Sequence, residues 1–349
     1  MKAYHCVALS FFTLCWFACK KKDTLKGIDK AALFAPPATA EIDAVERSWV
    51  QRNLVPQDIT IVETQSITPK LSAYIISFHL GVIKEYAAVL VPLTTERVPL
   101  LFYAGGFGID EEPVSSVKVK LPAEDLSFIY VVPAMRGQYV SLEVNGKLLK
   151  SPLSGGSRFD AFDGATDDVI ACLNAVGALF QQADTGKAMI RGGSRGGTVA
   201  LLAGIRDQRF KRVAPVAFNS DFVAMTAQLY NDPTYKAQFL DGLLSRTSTI
   251  AQTRQLIIAS SPFYFSKRIP KAQLHAAQND RITPASQAEL LFNEMKRQGI
   301  GDRATLFIYP DRDHSNIVTG NTELESRINT FLVSPGNLNP DIHSLIILY

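Results

Sequence analysis

The chain has 349 residues, 47% of them hydrophobic and 20% charged, with 22 Gly and 18 Pro. That composition suits one globular α/β domain with a large core, or one domain plus a small appendage. The absence of an internal repeat excludes a solenoid or propeller. A net charge of +3, with no Lys/Arg stripe interleaved with aromatics, gives nucleic acid no footing as a partner.

At the amino terminus, Lys2 precedes an apolar run from Cys6 to Cys19. The run has the length of a signal-peptide core and is too short for the roughly 20 helical residues that span a bilayer. It closes on Trp16-Phe17-Ala18-Cys19, followed abruptly by Lys20-Lys21-Lys22-Asp23. A small residue before a cysteine and then a polar tail resembles a bacterial lipoprotein signal. The resemblance implies cleavage after Ala18, lipid on Cys19, and an extracytoplasmic protein anchored to a bacterial membrane, at the periplasmic face or the cell surface. A buried hydrophobic helix is the alternative reading. With Cys6 and Cys15 removed and Cys19 lipidated, Cys172 is left as a lone thiol in a helical apolar pattern, a small core residue with no disulfide or metal role.

The expected organisation is a signal at 1–18, a tether at 19–56 with one short helix at 42–50, a catalytic domain at 57–334 and a tail at 335–349. Pro36-Pro37 and the scarcity of long apolar runs give the tether its character. Strand-like segments follow at 59–67, 71–82 and 86–92, the middle one alternating as a half-buried antiparallel strand does. From position 100 the pattern becomes strand, loop, helix. Apolar runs at 100–103, 128–132, 188–190, 213–218, 274–277 and 306–309 are interleaved with helical stretches at 167–181, 198–207, 285–298 and 322–332. Continuous apolar strands alternating with helices predict an α/β fold with a mostly parallel, doubly covered sheet. The stretch at about 219–269 is too long for a plain connection and is expected to be a helical insertion over the site.

Gly192-Gly193-Ser194-Arg195-Gly196-Gly197 lies between a strand pattern and a helix pattern, the setting of a nucleophile elbow. Small neighbours allow the strained turn that holds Ser194, and the Arg195 backbone N–H is left free to face an oxyanion. Glycine-rich turns before helices also bind phosphate, but this one lacks the Lys-Ser/Thr ending of a P-loop and the acidic partner of a dinucleotide site. A serine nucleophile needs a base and a carboxylate to orient it. Of the five histidines, His5 leaves with the signal, His79 lies in a strand, His275 sits in an apolar run and His343 is in the tail. His314, in a polar loop after a strand, is the candidate base. Asp280, at another strand end between serine and histidine in chain order, is the candidate carboxylate. Asp311 and Asp313 flank His314 too closely to orient its ring from behind. No cofactor or metal is called for.

Ser260-Ser261-Pro262, Ile269-Pro270, Leu274-His275 and Asp280-Arg281-Ile282-Thr283-Pro284, with the elbow and Tyr309-Pro310…His314, resemble the catalytic domain of the prolyl oligopeptidase family. The resemblance spans about 98–332 and implies an α/β-hydrolase fold. It also implies serine hydrolase chemistry on an ester or amide, through an acyl-enzyme at Ser194. Tyr103-Ala104-Gly105-Gly106-Phe107 resembles the family's oxyanion loop, making the second donor either the Gly106 N–H or the Tyr103 hydroxyl. Met135-Arg136-Gly137 resembles its Arg-Gly turn. The family's large peptidases carry a β-propeller for which the residues before position 98 are too few. Peptides and acylated carbohydrates therefore both stand as substrates, the latter as in the related acetyl xylan esterases. A hydrolase-fold binding lipoprotein without activity is the alternative from another class.

Overall fold

The computed structural model describes residues 23–107, 114–120, 127–333 and 346–348. The lipid-attachment candidate Cys19, with the whole of the signal segment, lies outside the described residues, as does His343. A short helix α1 (Lys30–Leu33) and a longer α2 (Thr39–Val50) precede three antiparallel strands, β1 (Gln57–Thr68), β2 (Leu71–Leu80) and β3 (Ile83–Pro92). There follow β4 (Val98–Ala104), β5 (Val114–Lys120), β6 (Ile129–Ala134), β7 (Tyr139–Val144), β8 (Lys147–Lys150) and helix α3 (Asp163–Leu179). Then come β9 (Ala183–Gly193), α4 (Arg195–Arg206) and β10 (Phe210–Val216).

The insertion comprises α5 (Phe222–Leu229), α6 (Pro233–Tyr235), a π-helical turn (Lys236–Leu240), α7 (Asp241–Leu244), α8 (Ile250–Ala259) and a 3-10 stretch (Pro262–Arg268). The chain closes with β11 (Lys271–Ala277), α9 (Ala285–Arg297), β12 (Ala304–Tyr309), α10 (Thr322–Val333) and β13 (Ile346–Leu348). The main sheet runs β1-β2-β3-β6-β4-β9-β10-β11-β12. Every pairing from β6 to β12 is parallel.

Central strands such as β6 are buried at every position, because helices cover one face and α10 with a second sheet covers the other. Ala165, Val169 and Leu173 of α3, Val199 and Leu202 of α4, and Leu291 of α9 pack on the first face. Leu324, Ile328 and Leu332 of α10 join Val140, Leu142 and Val144 of β7 on the second. A two-faced parallel sheet obtains its stability from this double burial.

Two sequence expectations need correction. The second sheet, in the order β13-β5-β7-β8, was not expected, and 346–348 of the segment read as a tail is one of its strands. Nor is the stretch read as a tether free from residue 23 onward. Leu25, Leu33, Val45 and Trp49 are buried in the main core. The Trp49 indole donates to Asp163 at 2.9 Å, and Arg52 pairs with both Asp163 and Asp167. Arg254 of α8 grips Glu41 through two bonds of 2.7 Å and donates to the carbonyls of Ala32, Leu33 and Ala35. Pro36-Pro37 therefore marks a bend between two docked helices.

His275 sits in the core as its apolar run predicts, bonded to the Tyr309 hydroxyl at 3.0 Å and to Gln273 Oε1 at 3.1 Å. Burial, and then the charges of Arg191 and Arg327, push its pKa down to about 3. An unfolded histidine titrates near ~6.5. Between those values the unfolded chain binds a proton that the folded chain refuses, so stability rises with pH there and is lost as pH falls through the window. Denaturant midpoints should drop steadily from about pH 6.5 downward. In His275→Gln that slope should flatten; an unchanged slope would assign the acid sensitivity to other groups.

Candidate active site

The register of β9 between β4 and β10 builds the site. Gly192 lies beside Ala104 on one side and Pro215 on the other, so the chain leaves the sheet at its centre. Ser194 follows with φ 54° and ψ −123°, a strained conformation for a residue bearing a Cβ. Its N–H donates to the Val216 carbonyl at 2.9 Å, and its carbonyl accepts from Gly197 N–H at 2.9 Å. The glycines are required by contact. A Cβ on Gly192 would stand 2.1 Å from the Gly196 carbonyl oxygen, and one on Gly196 would stand 1.9 Å from that of Ala104. Ser194 thus caps α4, and its side chain projects into a cleft of about 690 Å³ below the insertion.

The structure brings His314 and Asp280 to this serine. His314 Nε2 is 3.0 Å from Ser194 Oγ, and Nδ1 is 2.7 Å from Asp280 Oδ2. A carboxylate only accepts, so the ring proton belongs on Nδ1 and the Nε2 lone pair faces the serine hydroxyl. Asp280 is itself held: Oδ1 accepts from the Ile282 and Thr283 N–H groups, each at 2.8 Å, and Oδ2 accepts from the Thr283 hydroxyl at 2.6 Å. Burial pushes the Asp280 carboxyl up, but the bonds from His314 and Thr283 outweigh it and hold it below the ordinary carboxylate value. It is therefore ionised at neutral pH.

Asp313 is occupied elsewhere, accepting from the Ser315 and Asn316 N–H groups and the Ser315 hydroxyl, which shapes the turn that presents His314. Asp311 is an exposed neighbour on that loop. His79 lies out on β2, facing Asp58 at 3.3 Å.

The oxyanion candidates separate. Gly106 lies against the elbow, where a Cβ would be 2.9 Å from the Gly193 oxygen and 3.1 Å from Ser194 Cβ, and it lines the cleft with Arg195. Tyr103 packs instead among the apolar residues under α10, with Tyr130 and Met189. The Arg195 side chain is 4% exposed; its Nε donates to the Ala161 carbonyl at 2.8 Å and its guanidinium stacks 4.2 Å from the Phe107 ring. One side chain thereby ties the elbow to the loop that carries Gly106. Turnover in Tyr103→Phe should remain within about threefold of wild type, whereas loss of a true oxyanion donor costs ~10²–10³. A hundredfold fall would return the hydroxyl to the site.

Thr283 and Asn219 were missed by sequence reasoning. Thr283 touches both Asp280 and His314, the latter at 3.1 Å. Its signal was the Asp-x-x-Thr spacing, which suits a side chain folding back on a turn. Asn219 lines the cleft and had no signal beyond its place after a strand. Among the described residues no cluster of three or more His, Cys, Asp or Glu is placed to hold a metal ion.

A nine-stranded, mostly parallel sheet with a serine at a strained strand-to-helix turn defines a serine hydrolase of the α/β-hydrolase class. The profile of the prolyl oligopeptidase family matches residues 158–333, half the chain, and the protein belongs to that family. Solved structures share the fold. The chain is 16% identical to acetyl xylan esterase 1 from a Thermoanaerobacterium species, with a TM-score of 0.59 over 85% of this chain and 94% of that one. An acetyl xylan esterase from a Paenibacillus species gives 16% identity and 0.55, over 86% and 98%. The acylaminoacyl peptidase of Pyrococcus horikoshii gives 14% and 0.50, over 78% of this chain and 48% of that one. No curated protein sequence matches the chain.

Proposed function

We propose that this hydrolase cleaves an ester or amide through an acyl-enzyme on Ser194. The observation that carries the reading is the unbroken relay from Ser194 Oγ through His314 to Asp280, at 3.0 and 2.7 Å. His314 takes the serine proton as Oγ attacks the carbonyl, then gives it to the leaving group. Asp280 fixes the tautomer and stabilises the imidazolium, and Thr283 keeps Asp280 in place. The Arg195 and Gly106 N–H groups receive the oxyanion. Water repeats the sequence to release the acid. A fluorophosphonate probe tests the reading: labelling should vanish in Ser194→Ala, and labelling that persists would leave the fold as a binding module.

Acylated carbohydrates form the second reading of the substrate, favoured by two acetyl xylan esterase structures that align over nearly their full length. Hydrolysis rates on acyl nitrophenyl esters against aminoacyl and prolyl anilides decide between ester and peptide.

We further propose that Cys19 carries lipid and anchors the enzyme outside the cytoplasm. No helix among the described residues is long and apolar enough to cross a membrane. Cys19→Ala should release the protein from the membrane fraction; fractionation identical to wild type would make the leader an uncleaved anchor.

A further inference from the structure

The two N–H groups assigned to the oxyanion belong to separate stretches of chain. Arg195 opens α4, whereas Gly106 lies in the loop after β4. The pairing of β4 with β9 ends at Ala104, opposite Gly192, so Gly106 and Phe107 lie past its last pair. A side chain spans what the sheet leaves open. Arg195 Nε donates to the Ala161 carbonyl at 2.8 Å, and the guanidinium carbon stands 4.2 Å from the centre of the Phe107 ring. That of Arg158 stands 5.8 Å from the same ring.

The arrangement is costly for a residue that only fills space. Nη1 and Nη2 of Arg195 are buried and have no hydrogen-bond partner among the described residues. Asp168 and Asp160, the carboxylates whose charge acts on it most, are bonded to Arg136 instead. A buried charge without a counter-ion in contact is disfavoured, and an apolar side chain of similar length would avoid the penalty. The Phe107 ring is the partner this cation retains beyond its one hydrogen bond.

We propose that the Arg195 side chain is a positioning residue of the oxyanion hole. Clamped on Phe107, it fixes the spacing between its own N–H and that of Gly106. The proposal rests on Ser194 being the nucleophile and on those two donors receiving the oxyanion. Negative charge develops there only as Oγ attacks, so a loosened spacing weakens the transition state and leaves substrate binding as it was.

The test uses the full chain and p-nitrophenyl acetate, with rates expressed per site labelled exhaustively by a fluorophosphonate, which discounts unfolded molecules. In Arg195→Met the maximal acylation rate, read from the nitrophenolate burst, should fall about 10- to 100-fold. The half-saturating ester concentration should stay within about twofold of wild type. Inhibition by an aliphatic trifluoromethyl ketone should weaken by a similar factor. Ser194 Oγ adds to its carbonyl carbon and passes the proton to His314, and the adduct's oxyanion sits in the hole. Phe107→Leu should match these losses, and the double variant should lose little more than either single one, since both remove one contact. Arg195→Lys, which keeps a cation for the ring, should exceed Arg195→Met by about fivefold or more.

Acylation within about threefold of wild type in Arg195→Met, losses that multiply in the double variant, or a lysine no better than methionine would each overturn the proposal. Where Arg195→Met does not fold, Phe107→Leu carries the test. Slower acylation and weaker ketone binding at unchanged half-saturation support the clamp, and wild-type values remove it. Failure of the clamp with labelling lost in Ser194→Ala leaves the hydrolase mechanism standing; labelling that survives Ser194→Ala removes both.

Discussion

Ser194→Ala and His314→Ala should each lower turnover by about 10⁴–10⁶, with KM close to wild type. On the proposed mechanism each removes a group acting in the bond-making step, whereas the rest of the cleft is left in place. The double variant should lose little more than either single one if, as proposed, the serine and its base work as one unit. Asp280→Asn should cost about 10⁴ for a different reason. An amide can donate to the ring, which favours the tautomer with its proton on Nε2, facing Ser194. Thr283 would still hold the residue through its N–H, which donates to Oδ1, while its hydroxyl, which donates to Oδ2, would have to turn and accept from the amide that replaces it. Steady-state rates on any ester that wild type cleaves, with burst amplitudes to count acylated sites, check all four. Activity within tenfold of wild type in His314→Ala would remove the relay.

Gly196→Ala should both unfold and inactivate. Its Cβ would lie 1.9 Å from the Ala104 oxygen, 2.5 Å from the Ala104 carbon and 2.9 Å from the Gly105 oxygen, all of them backbone. No rotamer relieves such a contact; α4 or the end of β4 must move. A cost of about 3 kcal/mol or more is expected in urea denaturation. Since the same shift carries Gly106 away from Ser194, turnover in the folded fraction should fall by ~10² or more, the effect of roughly an ångström of misplacement. Gly193→Ala is the control. Its Cβ would meet nothing within 4 Å, so its stability should stay within about 1 kcal/mol of wild type. Equal behaviour of the two would show that the elbow tolerates side chains and that its glycines are incidental.

The parallel core was legible because buried strands read as short unbroken apolar runs bounded by Gly, Pro or Asp. All six runs became strands. The small second sheet was not, although β7 alternates Val140, Leu142 and Val144 with Ser141 and Glu143. Two of its strands, β5 and β13, lie far apart in the chain, and such pairing leaves no local mark. Residues 23–56 misled for a related reason: their buried side chains are few and widely spaced, and what fixes them is a distant arginine bonding to backbone oxygens. Ser194, Asp280 and His314 stood out because each follows a strand, where a parallel sheet gathers loops at one end. Asn219 occupies an equivalent place, but asparagine after a strand is also an ordinary turn residue, so its position alone said nothing.

The docked segment before β1 changes what a lipid at Cys19 would do. Thr24 bonds to Asn231 through both its N–H and its hydroxyl, at 3.0 and 2.7 Å, and Lys30 reaches the Tyr230 hydroxyl at 3.3 Å. Asp232, Thr234 and Tyr235, just beyond, line the cleft. From Cys19 to Asp23 is four residues, a reach of at most about 14 Å. An enzyme held on so short a mooring cannot sweep the space above a bilayer. Were Cys19 lipidated as proposed, the enzyme would lie against the headgroups with the insertion side toward them, and molecules would enter the cleft along the membrane surface.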